Sequence, residues 1–100
     1  MYGASKGAVR VLAKNVAVEM APYNIRVNSI SPGYIATDMT HELGLRDPEK
    51  LSVFESAAPM KRMGDRKDLK GIVGYLLTDA AAYTTGADIE VTGGLHAGRI

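Results

Sequence analysis

Along residues 3–21, apolar positions return at helical spacing. Val9, Leu12, Ala13, Val16, Ala17 and Met20 follow the i, i+3, i+4, i+7 rhythm that predicts an amphipathic helix. Val11 and Val18 fall outside that stripe, and a helix with one whole face in water seldom needs them. The helix is therefore expected to lie between two partners. Pro22 and Asn24 end it. The next rhythm has a period of two. Ile25 and Val27 alternate with Arg26 and Asn28, which predicts a strand that Pro32 and Gly33 stop. Residues 38–63 are polar and lack a sustained period, so they are expected to be irregular with short helical pieces. One piece is DPEKLSVF, with Asp47 as N-cap, Pro48 at the first helical position, and Leu51 and Phe54 on one face. A stretch of this kind in a compact domain is usually a functional lid or disordered.

Residues 66–78 carry the second long helix. Leu69, Ile72, Val73, Leu76 and Leu77 form its stripe, Asp65 can cap it, and Asp68 stands where a capping box places its acid. Gly71 and Gly74 inside it each cost about 1 kcal/mol relative to alanine, which close packing against a sheet would offset. The segment TTGADIEVTGG then reads as turn, strand, turn, with Ile89 and Val91 alternating with Asp88, Glu90 and Thr92. Asp88 and Glu90 are read as solvated strand residues, and Tyr83 as packing.

The order is thus α-β-lid-α-β, which places the chain in the α/β class with a parallel sheet. Parallel sheets need several strands and cover on both faces, so two strands are incomplete on their own. Residues 1–100 are expected to be part of a single domain. Composition narrows the chemistry. The net charge of +1 points to neither nucleic acid nor an anionic membrane. The absence of cysteine excludes disulfides, thiolate zinc sites and thiol nucleophiles, and is compatible with a cytoplasmic setting. No apolar run reaches membrane-spanning length, and residues 2–7 do not open a signal peptide. His41 and His96 are isolated, so no metal is expected.

The opening MYGASKGAV holds the candidate chemistry. Tyr2 and Lys6 are four residues apart, one helical turn. A phenol titrates near 10 and is a poor acid or base at neutral pH. An ammonium about 4 Å away would favour the phenolate by roughly 4 kcal/mol at an effective dielectric of 20. That is about three pKa units before desolvation opposes it. A phenol tuned in this way can exchange a proton with an alcohol or carbonyl oxygen, as hydride transfer requires.

YGASKGAV, NIRVNSISPGYIATDM and DAAAYTTGADIEVTGG, in this order and spacing, resemble the classical short-chain dehydrogenase/reductase family from residue 2 to about 95. The resemblance implies the C-terminal part of a doubly wound Rossmann-type fold, cut immediately before the catalytic tyrosine, with Met1 an internal methionine. It implies Tyr2 as acid/base in contact with the cofactor, Lys6 as its activator and a ligand of the nicotinamide ribose, and residues 38–63 as the substrate lid. It also implies that the segment with Pro32, Gly33, Ile35 and Thr37 meets the nicotinamide end of NAD or NADP, through the Ile35 backbone and the Thr37 hydroxyl. The glycine-rich phosphate turn, the residue that selects NAD or NADP, and the carbonyl-orienting serine do not occur in this sequence. The isolated chain is accordingly expected to be inactive. The parent is expected to be a homodimer or homotetramer that interconverts a secondary alcohol and a ketone, of a sugar or polyol, with a 3-oxoacyl thioester as the alternative. A different class of reading is a non-catalytic interaction module whose first helix packs into a dimer.

Overall fold

The computed structural model describes the backbone of residues 2–97 and the side chains of residues 7–97. Helix α1 spans Tyr2–Met20, and a 3-10 turn over Ala21–Tyr23 carries Pro22. Asn24 then reverses the chain in the left-handed region at φ 59°. Strand β1 (Ser29–Pro32) is followed by α2 (Asp38–Arg46), α3 (Pro48–Ala57) and α4 (Lys67–Leu76). A second 3-10 turn, Asp79–Ala81, leads toward β2 (Asp88–Val91). The two strands form one sheet. Its stagger is constant, from Ser29 N–H to Ala87 O (2.9 Å) through Gly33 N–H to Val91 O (3.0 Å), as a parallel pair requires. A long helix before each strand, with a further segment between β1 and α4, is the order the periodicities predict.

The chain divides into two compact units, residues 1–30 with 72–89 and residues 31–71 with 90–100. In the first, one side of α1 is covered. Ala17 is buried and Ala13, Val16 and Met20 are half-buried. Lys14 Nζ donates to Gly86 O at 2.8 Å, and Arg10 Nε pairs with Asp88 at 3.0 Å. The other side departs from expectation, because Val9, Val11, Leu12 and Val18 are 58–75% exposed. Among the described residues α1 has one covered face, not two. The first strand is also displaced from its predicted position. Residues 25–28 lie outside the strand: Val27 O still accepts from Gly86 N–H at 2.8 Å, and side chains make further bonds across to the neighbouring segment. Arg26 Nη2 donates to Leu76 O (2.9 Å) and Asn28 Nδ2 to Thr84 O (3.0 Å), while Asn28 Oδ1 accepts from Ala87 N–H (3.0 Å).

Pro32, expected to stop β1, ends it from within. The amides of Ser29 and Gly33 face β2, so alternation turns the Pro32 nitrogen to the opposite edge, where no donor is missed. Two further expectations are corrected in the first unit. Asp88 is not solvated: its side chain is 11% exposed and accepts from Ser29 Oγ at 2.6 Å besides pairing with Arg10. Tyr83 is fully exposed rather than packed.

The second unit is more regular than its sequence suggests. Residues 38–57 form two consecutive helices joined at Asp47. Thr37 caps α2 through a capping box with Thr40, and Asp47 caps α3 by accepting from Lys50 N–H at 3.1 Å. Leu51 and Phe54 share the half-buried side of α3, as their spacing predicts. Helix α4 starts from the predicted Asp65–Asp68 arrangement, with Asp68 Oδ2 accepting from Asp65 N–H at 2.7 Å. Glu90 is half-buried, which corrects its reading as solvated. Gly71 and Gly74 also differ from expectation: a Cβ added to either would meet nothing within 4 Å among the described residues, so no sheet packs closely there.

Candidate functional site

The predicted residues fall into two groups, one in each unit. Tyr2 and Lys6 both lie in the first turns of α1. Their side chains are outside the described residues. Positions 6 and 2 precede Arg10 by one and two turns, so the contacts of Arg10 and Lys14 with residues 86–88 set the rotation of the helix that carries them.

The second group is the segment after β1. Gly33 has a steric reason to be glycine. A Cβ there would stand 3.0 Å from Thr92 Cα, 3.2 Å from Thr92 Cβ and 3.4 Å from Thr92 O. The ends of β1 and β2 can close through Gly33 N–H and Val91 O only with that approach. One residue beyond, Tyr34 packs edge-on against Phe54 of α3, with ring centroids 4.9 Å apart.

Ile35 forms an isolated parallel bridge with Gly64. Gly64 N–H donates to Tyr34 O at 2.8 Å, and Ala36 N–H donates to Gly64 O at 2.8 Å. In a parallel bridge of this sense the flanking residues make the bonds, and the central residue turns its own amide the other way. The N–H and C=O of Ile35 therefore point away from Gly64. Among the described residues neither has a backbone partner. A donor and an acceptor side by side match a primary carboxamide, which offers the complementary pair. The Thr37 oxygen accepts from Thr40 N–H at 3.4 Å, which leaves its hydroxyl proton free to donate outward. The 32–37 segment thus fits the nicotinamide end of a dinucleotide. No glycine-rich phosphate turn accompanies it.

An exposed ion pair spans the residues on either side of Gly64. Arg62 Nη1 and Nη2 reach Asp68 Oδ2 and Oδ1 at 2.8 and 3.3 Å, and Nη1 also donates to Met63 O at 3.1 Å. The Arg62 guanidinium, with the amide of Asp65, holds the Asp68 carboxyl at about 2. Sequence reasoning found Asp68 as a helix cap but passed over Arg62 and Gly64. The available signal was a glycine enclosed by an arginine and a capping aspartate. Nearby, Tyr34, Met60, Arg62, Thr92 and His96 line a cavity of about 350 Å³. Met39, by contrast, is 79% exposed. Among the described residues no three acidic, histidine or cysteine side chains cluster as metal ligands, and no helix is long and apolar enough to cross a membrane.

A family profile described as enoyl-(acyl carrier protein) reductase matches residues 1–96. The crystal structure of a short-chain type dehydrogenase/reductase from Mycobacterium marinum superimposes with a TM-score of 0.78 at 46% identity, covering 94% of this chain and 35% of that one. The chain belongs to the short-chain dehydrogenase/reductase family, and its two-stranded sheet is part of that family's Rossmann-type fold. The ribulose-forming D-arabinitol 2-dehydrogenase of Candida tropicalis is 46% identical over 95 residues, 94% of this chain and 34% of that protein. The NADH-dependent L-xylulose reductase of Ambrosiozyma monospora is 45% identical over 95 residues, with 94% and 35% covered. The chain spans about a third of the length of these curated relatives.

Proposed function

We propose that this chain supplies the acid/base pair and the nicotinamide-facing loop of an NAD(P)-dependent oxidoreductase that interconverts a secondary alcohol and a ketone of a sugar or polyol. The observation that carries the reading is the Ile35 backbone, whose donor and acceptor are turned outward by the Gly64 bridge and have no backbone partner among the described residues. The nicotinamide, when bound, takes or gives the hydride. Every other task falls to the protein. Tyr2 holds or releases a proton at the substrate oxygen, and Lys6 lowers the energy of its phenolate. The Ile35 C=O and N–H orient a carboxamide, and the Thr37 hydroxyl donates to that end of the cofactor. Pro32 and Gly33 bring the loop off the carboxyl end of β1, where α/β folds place ligands.

The names of the relatives that act on arabinitol and xylulose support a polyol or sugar. The profile description favours an acyl thioester instead, which is the second reading. Self-association as a homodimer or homotetramer is supported by the exposed Val9, Val11, Leu12 and Val18 of α1. A cytoplasmic site of action goes with the cysteine-free sequence.

The test is a chimaera in which this chain replaces the matching third of the Candida tropicalis enzyme. It is expected to turn over D-arabinitol or a related polyol with NAD or NADP, and a 3-oxoacyl thioester poorly. Tyr2→Phe should lower its kcat by at least ~100-fold, the usual scale of general acid–base catalysis. Full turnover by the Phe variant would sink the assignment. The 100-residue chain alone, given NADH or NADPH and a panel of ketones, should show no oxidation.

A further inference from the structure

Residues 62–68 lie far along the chain from the 32–37 loop, yet they decide where its backbone sits. Gly64 is the only described residue bonded to both Tyr34 O and Ala36 N–H. A Cβ at 64 would come within 2.6 Å of Ile35 Cδ1, the end of that side chain. The Ile35 side chain therefore lies across Gly64, while its amide faces outward. What keeps the Gly64 edge in place is the turn around it. That turn is closed by the fork of Arg62 on Asp68, with the same carboxylate accepting from Asp65 N–H at 2.7 Å. Residues on both sides of Gly64 are thus pinned to one carboxylate, at the first turn of α4.

We propose that Arg62 and Asp68 are positioning residues, whose two-pronged ion pair closes the 62–68 turn and so fixes the Gly64 edge that aims the Ile35 amide. They touch no reacting atom. Their functional consequence rests on the reading that Ile35 meets the nicotinamide carboxamide, but their structural consequence does not. A planar guanidinium suits this task because two parallel bonds fix direction as well as distance. A lysine would keep the charge and lose the direction.

The experiment is hydrogen–deuterium exchange of the 100-residue chain at low micromolar concentration, resolved to single amides. Ala36 and Gly64 report the bridge, and Ser29 and Gly86, bonded to Ala87 O and Val27 O, report the other unit. Arg62→Met, which leaves Asp68 free to cap α4, should speed exchange at Ala36 and Gly64 about tenfold. Ser29 and Gly86 should not change. If Arg62→Met speeds all four alike, Arg62→Lys decides: a smaller rise confined to Ala36 and Gly64 supports the proposal. No rise at these two amides in Arg62→Met, or an equal rise at all four in both variants, overturns it. In the chimaera, Arg62→Met should raise the KM for cofactor more than it lowers kcat. Faster exchange with an unchanged KM would uphold the positioning role and break the link between Ile35 and the cofactor.

Discussion

Asp68 shows how much one carboxylate can be asked to do. It accepts from Arg62 and from the Asp65 amide, and the guanidinium bond is the larger cause of its depressed pKa, about 2 against an ordinary 3.8. Its folded value lies below its unfolded value, so its contribution to stability is complete above the unfolded pKa and is lost as pH falls through the folded one. The window therefore runs from near 4 down to about 2. Because the pair is exposed, salt should screen it. A carboxyl carbon titration by NMR should place the Asp68 midpoint near 2, and Arg62→Met should move it back toward the ordinary range. At this scale the sequence was partly legible. Asp65, Asp68, Asp47 and Pro48 follow local capping rules that act within four residues, so they could be placed without a fold. Arg62 and Gly64 act through a contact with residues 34–36, and no local rule reports a partner nearly thirty positions away.

Among the elements, helices were read better than strands. The boundaries of α1 and α4 follow their apolar period and their stops at Pro22 and beyond Leu76. Strand β1 was misplaced because alternation at residues 25–28 looks like pairing, whereas Arg26 and Asn28 bond sideways to 76, 84 and 87. Of the two helices of 38–57, α3 was legible from Asp47, Pro48 and the Leu51–Phe54 spacing, whereas α2 was hidden by its short length and polar face. Gly71 and Gly74 give a test at this scale. Their α-carbons face open space, so Gly71→Ala in the chain should gain up to about 1 kcal/mol from helix propensity, seen as a higher urea midpoint. In the chimaera the same change should be neutral or harmful if the rest of the protein packs closely against that face.

For the molecule as a whole, the chain carries more apolar surface than it covers. Its buried apolar residues are Ala17, Ala58 and Ala81, and no large side chain is fully buried among the described residues. Val9, Leu12, Val18, Leu45, Val53 and Leu77 stay 60–79% exposed. A single such face commonly marks an interaction surface, and many at once make a chain prone to associate. At tens of micromolar the isolated chain should bind an apolar dye and scatter light increasingly with concentration, whereas the chimaera should do neither. A dark, monodisperse 100-residue chain would refute this. The pattern of apolar residues was legible in the sequence, but which sides they would find covered was not. Periodicity marks a greasy side without naming what covers it, and the α1 expectation failed for that reason.

One consequence of the proline inside β1 concerns how such association can proceed. The outer border of that strand presents the amide hydrogen of Ile30 and then, two residues on, a ring nitrogen with no hydrogen to give. A foreign strand laid along it finds one donor where a regular border offers two. Copies that stick together through their oily flanks are thereby discouraged from zipping end over end into a continuous ribbon, and their clumping should stay amorphous and reversible.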